Sequence, residues 1–225
     1  MKGKQKMKRI VIFGTGIIAQ LADFYFDKDS AYEVAAFTAD KQFIEKDTFM
    51  EKPVVAAEDV NRIYPPDEFA MFIALSYSKM NTIRESKYLE AKEKGYDLVS
   101  YISSKATIWA EQSIGDNCFI LEDNTIQPYA TIGNNVTLWS GNHIGHHSST
   151  GDNTFISSHV VVSGNVTIGK NCFLGVNSTF RDGISIADFT LVGAGCYISR
   201  NIDEPESVYT IPPAVLHKKK SFDLL

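Results

Sequence analysis

The chain has 225 residues, 44% of them hydrophobic and 12% aromatic, enough for a packed core and against the disordered and fibrous classes. Lys and Arg total 22 against 27 Asp and Glu, a net charge of −5 that argues against a nucleic-acid partner. No apolar run approaches the roughly 18 residues of a spanning helix, and three cysteines without Cys-x-x-Cys spacing suit a reducing compartment, so a soluble cytoplasmic protein without a membrane partner is expected.

From Arg9 to about Tyr96 strands and helices alternate. Arg9 to Gly14 reads as an apolar strand ending in a glycine turn, and Ile17 to Phe26 continues with helical spacing. Val34 to Thr38 follows as a strand, Ala57 to Tyr64 as a short helix, Phe69 to Leu75 as a buried strand, and Lys79 to Lys94 as a helix stopped by Gly95. This order predicts a small Rossmann-like parallel α/β domain over residues 1–97. Gly14 and Gly16 after the first strand suit close approach of backbone to a phosphate or sugar, or else only strand-to-helix packing. The third glycine of the dinucleotide fingerprint is absent, which argues against oxidoreductase chemistry. Ser76 and Tyr77 follow the third strand, where ligands settle in such sheets.

Beyond Leu98 the period becomes six. Stepping by six from Ile102 to Ile198 meets 17 positions, 15 of them aliphatic, the exceptions being Thr150 and Phe180. The following position is Gly seven times, where composition would give about one. Such a hexapeptide repeat predicts a parallel β-helix with 18 residues per coil over residues 98–199, followed by a C-terminal extension over 200–225. Phe180 is the one oversized inward residue, and a bulge or an outward turn is expected there.

The repeat, the motif IFGTG (residues 12–16) and the segment GNVTIGKNCFLGVN (residues 164–177) resemble the left-handed β-helix acyltransferases. Among these, the chain resembles most the bacterial nucleotide-sugar N-acetyltransferases and sialic-acid O-acetyltransferases with an N-terminal sugar-binding domain. The resemblance implies a homotrimer, with acetyl-CoA lying in the cleft between adjacent β-helices and a nucleotide-linked amino sugar presented by the N-terminal domain. It also implies that Asp40, Asn81 and Arg84 lie near the nucleotide, with Arg84 available to a phosphate. Gly193, Ala194 and Gly195, followed by the segment around Pro212, resemble the family's coenzyme-bordering close, and Lys218 to Lys220 could meet a coenzyme phosphate.

Acyl transfer from a thioester needs a base for the acceptor's proton and a donor for the developing oxyanion. His146 falls on the position resembling the family's catalytic histidine, 18 residues before Gly164. That separation is one coil, so the two are expected to stack about one strand spacing, ~4.8 Å, apart, with the Gly164 N–H facing the thioester carbonyl. The family has an acidic residue next in the chain, where this sequence has His147. The base is then either weaker or oriented by another group, for which Asp123 and Asp152 are the candidates. His147, His143 and His159 are the alternative bases, and the plain alternative is that all are surface histidines stacking between coils. Gamma-class carbonic anhydrases of this repeat hold zinc with three histidines, but the spacing here does not reproduce theirs and no metal is expected. The reading that results is acetyl-CoA-dependent N-acetylation of a nucleotide-linked amino deoxy-sugar in surface-glycan synthesis. Its alternatives are O-acetylation of a sialic-acid-type sugar, or a non-catalytic sugar-nucleotide-binding subunit.

Overall fold

The computed structural model describes residues 8–109, 113–214, 216, 218 and 222. Ile10 to Phe13 are apolar on both faces, as a central parallel strand requires, and they are buried in β1 (Lys8–Phe13). The chain continues through α1 (Ile17–Asp29), β2 (Tyr32–Ala39), β3 (Thr48–Phe49), β4 (Lys52–Ala56), α2 (Val60–Ile63), β5 (Phe69–Ile73) and α3 (Thr82–Glu93). The sheet order is β3-β4-β2-β1-β5, parallel except for β3 against β4. The β3–β4 hairpin has no counterpart among the expected elements. Its turn residues Met50 and Glu51 adopt φ of 48° and 62° without Asn or Gly, so the usual turn signal is missing. Helix α3 begins three residues later than expected because Lys79, Met80 and Asn81 are all left-handed, with φ of 50°, 50° and 65°.

From Tyr101 the chain winds into a parallel β-helix of two-residue strands, each paired with the strands 18 residues before and after, as Thr125 is with Thr107 and His143. Three sheets result, of six, five and seven strands. The seven-stranded one runs from Tyr101–Ile102 to Val208–Tyr209 in the C-terminal extension. The second residue of each strand points inward, and Ile120, Ile126, Leu138, Ile144, Ile156, Val162 and Leu174 are fully buried. Each such side chain contributes roughly 1.5–3 kcal/mol of gross burial. Phe180 corrects the expectation: it is fully buried and paired in register between Val162 and Ile198, without a bulge. Val162, paired with it one coil earlier, is smaller than the Ile or Leu found at most such positions. The cysteines are free and buried in the stack, and burial pushes the Cys118 thiol up to about 12 and Cys172 to about 11.

The α/β domain sits on the seven-stranded sheet. The outward residues of that sheet, Tyr101, Phe119 and Phe155, are buried, and the first two cluster with Phe26 and Phe72 of the domain. In the other sheets the outward residues are mostly Ser and Thr. At the edge of the joint, Asn117, Asn135, Asn153 and Asn171 form a hydrogen-bonded ladder, each Nδ2 donating to the Oδ1 one coil further on. It starts at the backbone of Ile73 and ends on Glu85 of α3. Asn81 and Arg84, expected near the nucleotide, belong to this joint instead. Asn81 Nδ2 donates to the Cys172 carbonyl, and the guanidinium donates to Thr137 Oγ1, Asn81 Oδ1 and the Asn153 carbonyl. Both residues are buried and occupied by interior partners rather than open to a ligand.

Asp29, at the end of α1, accepts hydrogen bonds from Tyr101, Ser103 and Ser104 and ties the domain to the first coil. Hydrogen bonds from Ser104 first, and then from Tyr101, pull its carboxyl down to about 2. A depressed acid stabilises the fold above its unfolded pKa and loses that contribution as pH falls through the folded one. The window is therefore about pH 4 to about pH 2. Asp29→Ala is expected to lower the melting temperature at pH 6 and to narrow toward wild type at pH 2, as followed by circular dichroism.

Candidate active site

The β-helix has three corners, and residues 18 apart share one. His146 and Gly164 share the corner between the six- and five-stranded sheets, as expected, and their backbones are linked by the Asn165 N–H donating to the His146 carbonyl at 2.9 Å. The imidazole lies directly over the glycine. A methyl group on Gly164 would stand 2.6 Å from His146 Cε1 and 2.7 Å from Nε2, so only glycine lets the ring lie there. Among the described residues the Gly164 N–H donates to no partner.

His146 Nδ1 lies 3.1 Å from His147 Nδ1, and the His147 ring stacks on Tyr129 with centroids 4.7 Å apart. Two ring nitrogens at that distance share one proton. When Nδ1 of His146 carries it, Nε2 is left bare toward Gly164, the tautomer a base requires. The His146 N–H is also fixed, donating to Gln127 Oε1 at 2.9 Å. Neither Asp123 nor Asp152 is placed to orient the base. Asp152 lies on another corner, accepting from the Asn134 N–H at 2.7 Å, and Asp123 lies on the third, where His159 covers Gly141. Among the described residues, the carboxylate that shares the corner with His146 is Asp182, two coils on, its Oδ1 3.0 Å from the same methyl position on Gly164. Its signal in the sequence is a spacing of twice 18. His143 lies half-buried on the outer face of the six-stranded sheet.

Gly193, Ala194 and Gly195 occupy the corner between the seven- and six-stranded sheets, where the returning strand Val208–Tyr209 runs past them and the Gly193 N–H donates to the Tyr209 carbonyl at 2.7 Å. Pro212 and Lys218 are exposed; Lys219 and Lys220 lie outside the described residues.

In the α/β domain, Gly14, Gly16, Asp40, Ser76 and Tyr77 gather around the carboxyl ends of β1, β2 and β5. Gly14 has φ of +122°, and a methyl group there would meet the Ala74 carbonyl oxygen at 2.8 Å, so packing of two strand ends explains this glycine. Gly16 opens α1 with no side-chain cap and open space around it. Asp40 is paired with Lys87 at 2.8 Å, and the exposed Tyr77 lies against Phe155 and Phe173 of the β-helix. A cavity of about 340 Å³ opens beside Gly16, lined by Thr15, Phe43, Lys46, Thr48 and Phe49 among others. Apart from Thr15, which lies in the IFGTG motif, no sequence pattern marks these residues, because they lie in a loop and a hairpin without periodicity.

The domain covers the seven-stranded sheet, and His146 sits at the opposite corner. Within one chain the cavity and the histidine are therefore held apart by the width of the β-helix. Among the described residues no His, Cys, Asp or Glu triplet converges as a metal site, and no helix is long and apolar enough to cross a membrane.

The model for the bacterial transferase hexapeptide, six repeats, matches residues 113–146 and 147–182, and that for the hexapeptide repeat of succinyl-transferase matches residues 165–200. No curated protein sequence matches the chain. Among solved structures, PerB from Caulobacter crescentus in complex with CoA and GDP-perosamine is similar at TM-score 0.77 and 21% identity, over 91% of this chain and 93% of that one. The acetyltransferase domain of PglB from Neisseria gonorrhoeae is similar at TM-score 0.77 and 18% identity, over 88% and 94%. WeeI from Acinetobacter baumannii follows at TM-score 0.64 and 18% identity, over 87% and 93%. The chain is thus a Rossmann-like α/β domain joined to a left-handed β-helix. Residues 113–200 of that β-helix carry the hexapeptide repeat of bacterial transferases.

Proposed function

We propose that the protein is an acetyl-CoA-dependent N-acetyltransferase acting on a nucleotide-linked amino sugar, with His146 as general base. The observation that carries this reading is the stack of His146 on Gly164: the Nε2 edge of a histidine over the missing side chain of a glycine whose backbone N–H has no partner among the described residues. The coenzyme's thioester carbonyl accepts from the Gly164 N–H, which stabilises the developing oxyanion. The acceptor nitrogen attacks the carbonyl carbon, its proton passes to His146 Nε2, the C–S bond breaks, and the thiolate leaves and is reprotonated. His147 keeps His146 in the tautomer that accepts this proton, and Tyr129 holds His147. PerB, of the same fold, is described with CoA and GDP-perosamine, and the PglB domain with acetyl-CoA, which supports the two ligand classes.

The nucleotide sugar takes the cavity beside Gly16, where Phe43 and Lys46 offer an aromatic face and a cation. That cavity cannot serve the histidine of its own chain, and Gly193 to Gly195 lie on a different corner from Gly164. A homotrimer, in which one copy's domain and coenzyme corner meet a neighbour's His146, removes both difficulties. Synthesis of a cytoplasmic precursor for surface glycan follows from such a substrate.

The test is thiol release from acetyl-CoA with a panel of amino-sugar nucleotides. Turnover with at least one is expected; silence across the panel with turnover on free sialic acid would replace the reading by O-acetylation. Gly164→Ala gives a sharper check. Its methyl group meets the tip of a flexible side chain, so the fold is retained while the base is displaced. A loss in kcat on the order of 10²-fold, without a change in melting temperature, is expected for an approximately 1 Å misplacement.

A further inference from the structure

We propose that Asp182 is a positioning residue for this reaction, supplying from two coils away the negative charge that His147 cannot; this rests on the reading of His146 as base. His146, Gly164 and Asp182 occupy one corner in three successive coils, linked by Asn165 N–H to His146 carbonyl and Gly183 N–H to Gly164 carbonyl hydrogen bonds at 2.9 and 3.0 Å. Because residue 164 has no side chain, the gap above its Cα is open to both neighbours. Its methyl position lies 2.7 Å from His146 Nε2 and 3.0 Å from Asp182 Oδ1. The imidazole edge and the carboxylate therefore face one gap from opposite sides. Among the described residues the carboxylate is taken by no hydrogen bond or ion pair.

His147 sets the tautomer through Nδ1, but to the imidazolium that forms once the acceptor's proton arrives it offers only a hydrogen-bond acceptor and no negative charge. A carboxylate across the gap supplies that charge, and opposite charges a few ångström apart favour the charged form. Asp182 takes no proton itself, and the proton leaves His146 for the departing thiolate.

The test uses the full-length protein, acetyl-CoA and whichever amino-sugar nucleotide it turns over. Asp182→Asn is expected to lower kcat by roughly tenfold or more, leaving KM for acetyl-CoA and the melting temperature unchanged, and Asp182→Glu to recover most of the loss. In the His146→Ala background Asp182→Asn should cost nothing further, since its effect passes through the base. Adding His147→Glu to Asp182→Asn, which places a carboxylate on the other side of the imidazole, should restore activity. Wild-type kcat in Asp182→Asn while His146→Ala is inactive would overturn the role of Asp182 and leave the base in place. A full multiplicative loss in the His146→Ala background would overturn it equally. Absence of wild-type turnover on every amino sugar would instead remove the acetyltransferase reading, and this proposal with it.

Discussion

Replacing His146 with Ala is expected to lower kcat by roughly 10² to 10⁴, the span of a positioned acid–base group. KM for acetyl-CoA should change little. The side chain is exposed and its ring rests on a glycine rather than in the core, so the variant should fold and melt as the parent does. Its contribution is confined to the transition state, and loss of kcat and kcat/KM in equal measure is the signature of such a group. His147→Ala should cost less, because it removes the group that sets the tautomer and leaves the base. A competing mechanism has the amine arrive neutral and attack without a base, histidine merely holding it. Near-normal kcat in His146→Ala, by steady-state thiol release, would favour that competitor.

Arg84→Ala is expected to cost about 3 kcal/mol of stability, through three lost hydrogen bonds and a void in the joint. For a chain of this size that is a fall of roughly 6–12 °C in melting temperature. The guanidinium is fully buried with no carboxylate among its partners, and its Nε finds no acceptor among the described residues. Burial accordingly pulls its pKa down to about 10. Replacing a buried cation by a long apolar side chain is much milder than truncating it, so Arg84→Met should lose less than half as much. The joint carries the α/β domain, and loosening it should raise KM for the nucleotide sugar more than KM for acetyl-CoA. Wild-type melting in Arg84→Ala, with KM raised for the nucleotide alone, would return this residue to the substrate site.

The parts legible in the sequence are those with a period. A period of six marks the strands, and a period of 18 is enough to stack His146 on Gly164. Asp182 obeys the same arithmetic at the next multiple, whereas Asp123 and Asp152 are nearer to the histidine along the chain; register rather than proximity decides what shares a corner. Asn117, Asn135, Asn153 and Asn171 repeat at 18 as well, yet a repeated Asn reads as a turn residue until a second domain buries it. The outward strand residues show which sheet is covered: Tyr101, Phe119, Phe155 and Phe173 on one, mostly Ser and Thr on the others. Arg84 misleads because a polar helix face looks solvated, and no local pattern says that another domain lies against it. The hairpin is silent in the sequence because Met50 and Glu51 turn without turn residues.

A crystal structure of the protein with acetyl-CoA bound shows where the thioester lies. Its carbonyl oxygen is expected within hydrogen-bond distance of the Gly164 N–H, with the reacting carbon facing His146 Nε2 across the gap bounded by Asp182. A coenzyme whose thioester lies at another corner, or on the α/β domain with the His146 edge open to solvent, would contradict this placement.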